Sequence, residues 1–231
     1  MTTVISATSR KGGVGKTTLA TSLASILARE SFSVLLVDVD PQSTAALALG
    51  VNPLAKGTAE WLLDGSAEFQ EVQPGLTLLA GSPVLEQFGE EDGHILMQRL
   101  QATGHDYVVI DTSAGSTAIS RCALACSDVV LVTSEPHPLA LAGATTILDG
   151  LLPDKRRALV LSRVDPRKAL HREIAAGAAD AFVGTAVLTL RSDTRLERAL
   201  AEGVPAGVKL KRGKALADLD HIATWLLNEE V

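Results

Sequence analysis

Aromatic residues are scarce in this 231-residue chain: 3% are Phe, Trp or Tyr, although 46% are hydrophobic. A substantial core must therefore be built from Ala, Val, Leu and Ile. Cysteine is scarcer still, Cys122 and Cys126 being the only two. Their i, i+4 spacing puts both on one helix face, a poor arrangement for a disulfide, so a reducing, cytosolic location is expected. No apolar run approaches the ~18 residues of a membrane span. Thr2 to Ala7 enters a strand-like stretch at once, without the basic n-region of a signal peptide. Internal repeats, low-complexity tracts and interdomain linkers are also missing, and the length suits one α/β domain over residues 1–231. The five histidines show no metal-ligand spacing. His137 and His171 read as surface residues, Trp61 and Trp225 as packing residues.

A net charge of −6 argues weakly against a dedicated nucleic-acid binder, but the charge is segregated. Between Arg191 and Lys214 stand seven basic residues against three acids. Four of them, Lys209, Lys211, Arg212 and Lys214, fall within six positions in a Gly-flanked segment.

Apolar runs alternate with helix-like segments. Val4 to Ala7, Val34 to Val37, Leu76 to Leu79, Val108 to Ile110, Val129 to Val132, Ala158 to Leu161 and Ala186 to Leu190 read as strands, mostly buried. Helical character falls on Thr17 to Arg29, Asp92 to Ala102, Thr117 to Ala125, Leu139 to Leu152 and Thr194 to Glu202. This order implies a mainly parallel twisted sheet with helices on both faces. Residues 51–93, rich in Gly and Pro, are expected to be an elaborated surface segment.

The most specific stretch is Ser9-Arg10-Lys11-Gly12-Gly13-Val14-Gly15-Lys16-Thr17-Thr18, which follows the first strand and opens the first helix. Glycines let the backbone N–H groups curl inward around phosphate oxygens, and the helix N-terminus adds its positive dipole end. Lys16 should reach the β- and γ-phosphates and Thr17 should ligate Mg²⁺. Arg10 stands where the usual pattern has its first glycine. After the second strand comes Asp38-Val39-Asp40-Pro41-Gln42, at a strand end where ligands of open α/β sheets collect. Turn chemistry at Asp40-Pro41 is an alternative use of that acid. Tyr107 to Asp111 is a strand ending in acid, as a Walker B motif does, placing Asp111 near Mg²⁺.

The Lys-Gly-Gly-Val-Gly-Lys-Thr-Thr string resembles the deviant Walker A box of the ParA/MinD family of P-loop ATPases. The second acidic stretch resembles that family's Walker A′ box. The resemblance extends through Glu135-Pro136-His137-Pro138 and Thr189 to Pro205, and so covers nearly the whole chain. It implies ATP and Mg²⁺ as cofactors and an ATP-dependent homodimer in which Lys11 reaches the other subunit's nucleotide. It also implies that Asp38 holds Mg²⁺ through water and that Asp40 orients the attacking water. The adenine should lie against the strand end at Leu161 to Asp165 and the loop near Leu190, with Arg163 in reach. After Asp111 the family usually continues Thr-Pro-Pro-Gly. Here the run is Thr112-Ser113-Ala114-Gly115, and the lost prolines are expected to loosen the loop.

Among functions within the resemblance, a ParA-like ATPase that partitions DNA or positions a large cargo leads. It would bind DNA without sequence preference through Arg191, Arg195, Lys209, Lys211, Arg212 and Lys214, lie on the nucleoid in its ATP state, and hydrolyse ATP when a ParB-like or cargo-adaptor protein stimulates it. A MinD-like membrane-associated ATPase is the alternative, but the C-terminal segment is amphipathic and acidic where anionic lipid demands basic residues, so no membrane partner is expected. The related bacterial tyrosine kinases need a tyrosine-rich tail, and this chain has one tyrosine, Tyr107. A cluster role for the two cysteines, as in the nitrogenase iron protein, competes with simple helix packing. With no long segment ahead of the phosphate loop, an operator-binding domain is not expected.

Overall fold

The computed structural model describes residues 2–228. The chain runs β1 (Thr3–Thr8), α1 (Lys16–Arg29), β2 (Val34–Asp38), α2 (Thr44–Ala48), α3 (Thr58–Leu63), β3 (Gln70–Gln73), β4 (Leu76–Leu79), α4 (Gly93–Gln101) and β5 (Tyr107–Asp111). It continues α5 (Ala118–Cys126), β6 (Val129–Ser134), α6 (Pro138–Asp149), β7 (Arg156–Val164), α7 (Ala169–Ala181), β8 (Ala186–Arg191), α8 (Thr194–Ala201), α9 (Ala206–Lys209) and α10 (Lys214–Leu227).

Among the described residues, eight strands form one sheet in the order β3-β4-β2-β5-β1-β6-β7-β8. All neighbours are parallel except β3 and β4. Strand side chains alternate between two covered faces. Ile5, Leu36, Val109 and Leu131 pack with α1 and α10 on one face, whereas Val4, Leu35, Val108 and Ile110 pack with α3, α4 and α5 on the other. A third cluster joins Val130, Val132, Leu159 and Leu161 to α6 and α7. No aromatic side chain is among the largest that are fully buried, in line with the composition.

Two expectations change. Residues 51–93 are more than surface: besides the expected strand β4, which pairs directly with β2, and the expected packing of Trp61, the side chains of Leu62 and Leu85 are also buried in the core. The reason is that Gly and Pro mark only the turns there, while short apolar pieces between them pack inward. Helix α7 was not foreseen, because its sequence ALHREIAAGAADA buries only Ala178 fully and has little apolar periodicity.

The C-terminal helix is docked. Leu219, Ile222, Ala223 and Leu226 of α10 are buried with α1. The Arg156 guanidinium lies 4.1 Å over the Trp225 ring and donates to the carbonyls of Leu226 (3.0 Å), Asn228 (2.8 Å) and Trp225. The apolar face that a lipid surface would need is thus already covered. The acidic end, Glu229 to Val231, lies outside the described residues. Among the described residues, no helix is long and apolar enough to cross a membrane.

Candidate functional site: a phosphate-binding cleft

The parallel register sets the chemistry at adjoining strand ends. Asp38 on β2 is the register partner of Asp111 on β5, and Asp111 is the partner of Ala7 on β1, one residue before that strand ends. The loop from Ser9 to Gly15 follows β1 and leads into α1. Gly13 and Gly15 have φ of 78° and 92°, conformations that L side chains resist. Gly15 precedes α1, whose first turn carries no acid and whose start has no side-chain cap. Its leading N–H groups are therefore available to an anion.

A cleft of about 530 Å³ opens above these elements and is lined by Lys11, Lys16, Thr17, Asp40, Thr44 and Arg163, among others. Its size suits a small organic ligand. Lys16 is 7% exposed, and its Nζ lies 3.0 Å from Asp111 Oδ1. Asp111 is fully buried, and its Oδ2 has no hydrogen-bond partner among the described residues. Asp38 is also fully buried; its two oxygens accept the N–H groups of Asp40 (2.8 Å) and Ala45 (3.0 Å). Burial pushes the Asp38 carboxyl well above the usual carboxylate range and the Asp111 charge adds to this, against the pull of the amide donors. Burial raises Asp111 as well, opposed mainly by the Lys16 ammonium.

Asp40 lines the cleft and accepts the Gln42 N–H through Oδ1 (3.0 Å). The turn use weighed from sequence is therefore present beside the cleft position. Thr58 Oγ donates to the Asp38 carbonyl (2.8 Å), so the 51–93 segment also buttresses this strand end. Lys11 is exposed at the cleft rim, and no hydrogen bond or ion pair of its ammonium occurs among the described residues. Gly12, Val14 and Thr18 complete the loop and first turn, with Val14 buried beneath it.

The loop after Asp111 is pinned rather than loose. Thr112 Oγ donates to Ala7 O (3.0 Å), and the Gly115 N–H reaches Ser9 O (3.3 Å). The hydroxyls of Ser113, Thr117 and Ser120 lie within 2.8–3.1 Å of one another. Side-chain hydroxyls supply the fixing that prolines would have given.

Arg163 interrupts β7. It has φ 54°, the β7–β8 register shifts there, and its guanidinium meets Glu135 at 3.3 Å on the cleft rim. A bulge of this kind re-aims a side chain. Thr44 and Thr58 escaped the sequence reading, and Glu135 entered it only as part of the loop after β6 without a site role, because each belongs to the site only through contacts between separate elements.

Of the C-terminal basic residues, four are paired internally. Arg191 holds Asp218, Arg195 holds Asp193 (2.6 Å), and Arg198 and Lys209 share Glu202 (2.7 Å each). Lys211, Arg212 and Lys214 are exposed, and none is in an ion pair among the described residues. Cys122 and Cys126 are free thiols whose Sγ atoms face the carbonyls of residues 89, 90 and 93, and burial raises both thiols.

Could the cleft hold Mg²⁺ and a nucleotide? No three His, Cys, Asp or Glu side chains converge as a metal set among the described residues. Mg²⁺ does not need one: it keeps several waters and takes phosphate oxygens plus one or two protein ligands. Thr17, the unpartnered Asp111 oxygen and the uncapped start of α1 fit that requirement.

Strand order, loop and paired acids define a P-loop nucleotide-binding protein of the deviant Walker A type. Comparison with known proteins agrees. A family model described as an AAA domain (AAA_31) matches residues 2–153. The chromosome-partitioning ATPase Soj of Thermus thermophilus is 36% identical over 151 residues, covering 62% of this chain and 59% of that protein. This chain therefore matches less than two thirds of that relative's length. Apo McdA from Cyanothece superposes with a TM-score of 0.83 at 20% identity, covering 98% of this chain and 100% of that one. MinD from Pyrococcus horikoshii, complexed with Mg-ADP, gives 0.79 at 19% identity, covering 99% and 97%. The chain belongs to the ParA/MinD family of P-loop ATPases.

Proposed function

We propose that the 231-residue chain works as one ATPase domain that partitions DNA or positions a large cargo through an ATP-dependent homodimer. The observation that carries this reading is Lys11, an exposed ammonium without an ion-pair partner among the described residues, on the rim of a cleft that already contains its own buried lysine. A second lysine is redundant within one subunit. With two clefts face to face, each Lys11 reaches the phosphates held by the other subunit.

Within one cleft, the loop N–H groups and Lys16 bind the phosphates of ATP. Lys16 then exchanges Asp111 for phosphate, and Thr17 with the freed carboxylate would hold Mg²⁺. That cation would supply neutralisation of the charge that develops on the transferred phosphoryl group. Asp40 orients the attacking water, and Asp38, which also fixes the Asp40 loop through its two amide contacts, would hold Mg²⁺ through water. Arg163 contacts the nucleotide at the base end. Turnover is slow until a ParB-like or cargo-adaptor protein stimulates it.

DNA meets the closed dimer through Lys211, Arg212 and Lys214, with Arg191, Arg195 and Lys209 as flanking cations. Two such patches bind by avidity where one is weak. The protein is then cytoplasmic and nucleoid-bound in its ATP state. The test is size-exclusion with a slowly hydrolysed ATP analogue. Wild type dimerises, and Lys11→Ala binds the analogue but stays monomeric. A normal dimer of that variant would overturn the reading. A second assay compares arbitrary duplex DNA in the ATP, ADP and nucleotide-free states, and equal binding in all three would remove the switch.

A further inference from the structure

One side chain in the cleft is named by no motif. Thr44 opens α2, lines the cleft, and holds its hydroxyl oxygen 3.3 Å from that of Thr17. The segment before it is built at a cost. Ser43 has φ 50°, a left-handed conformation uncommon for residues other than glycine, and its buried hydroxyl has no hydrogen-bond partner among the described residues. Strain and an unsatisfied polar group at one residue persist only where surrounding contacts over-determine the conformation. Here Asp38 does so, by gripping the N–H groups of Asp40 and Ala45 on either side of the turn. The outcome is a Thr44 hydroxyl aimed at Thr17.

Thr17 also lies against Asp111. A hydroxyl that ligates a cation turns its lone pairs to the metal, and its single proton must go to an acceptor on another side. Asp111 is one acceptor, but a carboxylate occupied by that proton is a poorer acceptor for a cation's water. Thr44 is the other.

We propose that Thr44 is a positioning residue for the divalent cation: its oxygen accepts the Thr17 proton, which turns the Thr17 lone pairs inward and leaves Asp111 free. The proposal rests on the reading of the cleft as a Mg²⁺–nucleotide site. Partners of metal ligands act in this way elsewhere, and losing one typically weakens metal binding about ten- to a hundredfold.

The experiment measures binding of a fluorescent ADP analogue during a Mg²⁺ titration and again in EDTA. Thr44→Val keeps the branched shape without the hydroxyl. It should raise the Mg²⁺ concentration at half-saturation about ten- to a hundredfold, with affinity in EDTA as in wild type. Thr44→Ser should restore the wild-type titration. If the valine variant does not fold, Thr44→Ala against Thr44→Ser gives the same comparison. An unchanged Mg²⁺ requirement overturns the proposal. So does an equal loss of affinity with and without Mg²⁺, which is the mark of a shape-filling role. If wild type itself binds no nucleotide, the reading of the cleft fails first, and the two failures are distinguishable.

Discussion

Two charged regions of this molecule treat their charges in opposite ways. In the cleft, Lys11 has no ion-pair partner, one Asp111 oxygen is unpartnered and the start of α1 is uncapped, all among the described residues. On the C-terminal ridge, Arg191, Arg195, Arg198 and Lys209 are all held by acids of the same chain. The cleft is therefore incomplete without a ligand, whereas most of the ridge is electrostatically complete by itself. A count of basic residues overstates what the ridge can offer a polyanion. The cleft's motif understates its need, since both buried carboxyls are driven upward by desolvation.

The largest effect should come from breaking the one buried pair. Lys16→Ala should abolish ATP binding. It also leaves Asp111 buried without its cation, which costs about 3–5 kcal/mol in the nucleotide-free protein. Urea unfolding reads the second effect, and adding Asp111→Asn should recover much of it. No loss of stability in the single variant would mean that the pair is not the cleft's counter-charge.

Next comes turnover. Asp40→Ala should keep ATP binding and lose hydrolysis by about 10²–10⁴-fold, the usual range for a positioned acid–base group. Wild-type turnover would return Asp40 to its turn with Gln42.

The ridge gives smaller, contrasting effects. Charge reversal at Lys211 and Arg212 should weaken binding to every duplex alike and flatten the dependence of log affinity on log salt, without touching dimerisation. Arg191→Ala should instead act on stability, at about 1 kcal/mol, because its guanidinium hydrogen bonds to Asp218 help tie β8 to α10. If Arg191→Ala reduced DNA affinity as strongly as the reversal does, the division between paired and free ridge cations would be wrong.

The smallest effect is a pH dependence. Asp193 caps α8, and the Arg195 guanidinium holds its carboxyl below the usual range. A depressed carboxyl contributes stability above its unfolded value, about 3.9, and loses it as pH falls through the folded one. The acid limb of the melting curve should therefore be shallower in Asp193→Asn. Identical acid limbs would show that the pair contributes nothing.

How much of this could be read from the chain? The central strands could, because each is an unbroken apolar run. β3, with sequence Gln-Glu-Val-Gln at the sheet edge, could not. The phosphate loop and the three acids were legible because their spacing is local. Thr44 and Glu135 were not, since their meaning depends on Thr17 and Arg163, which lie on other elements. The ridge misled for the same reason: Arg191 finds Asp218 only after β8 and α10 have packed.

Gly207 carries one further consequence. Its N–H donates to Ser25 Oγ at 2.9 Å, and a Cβ there would fall 2.7 Å from the Ser25 carbonyl oxygen. The basic segment is thus riveted to the same helix that begins at Lys16, about 14 Å away at 1.5 Å per residue. The tie leaves the ridge little room to shift against the phosphate end of α1 within one molecule. On the proposed dimer reading, any sensitivity of the ridge to ATP would then be statistical rather than mechanical, set by how many copies stand side by side.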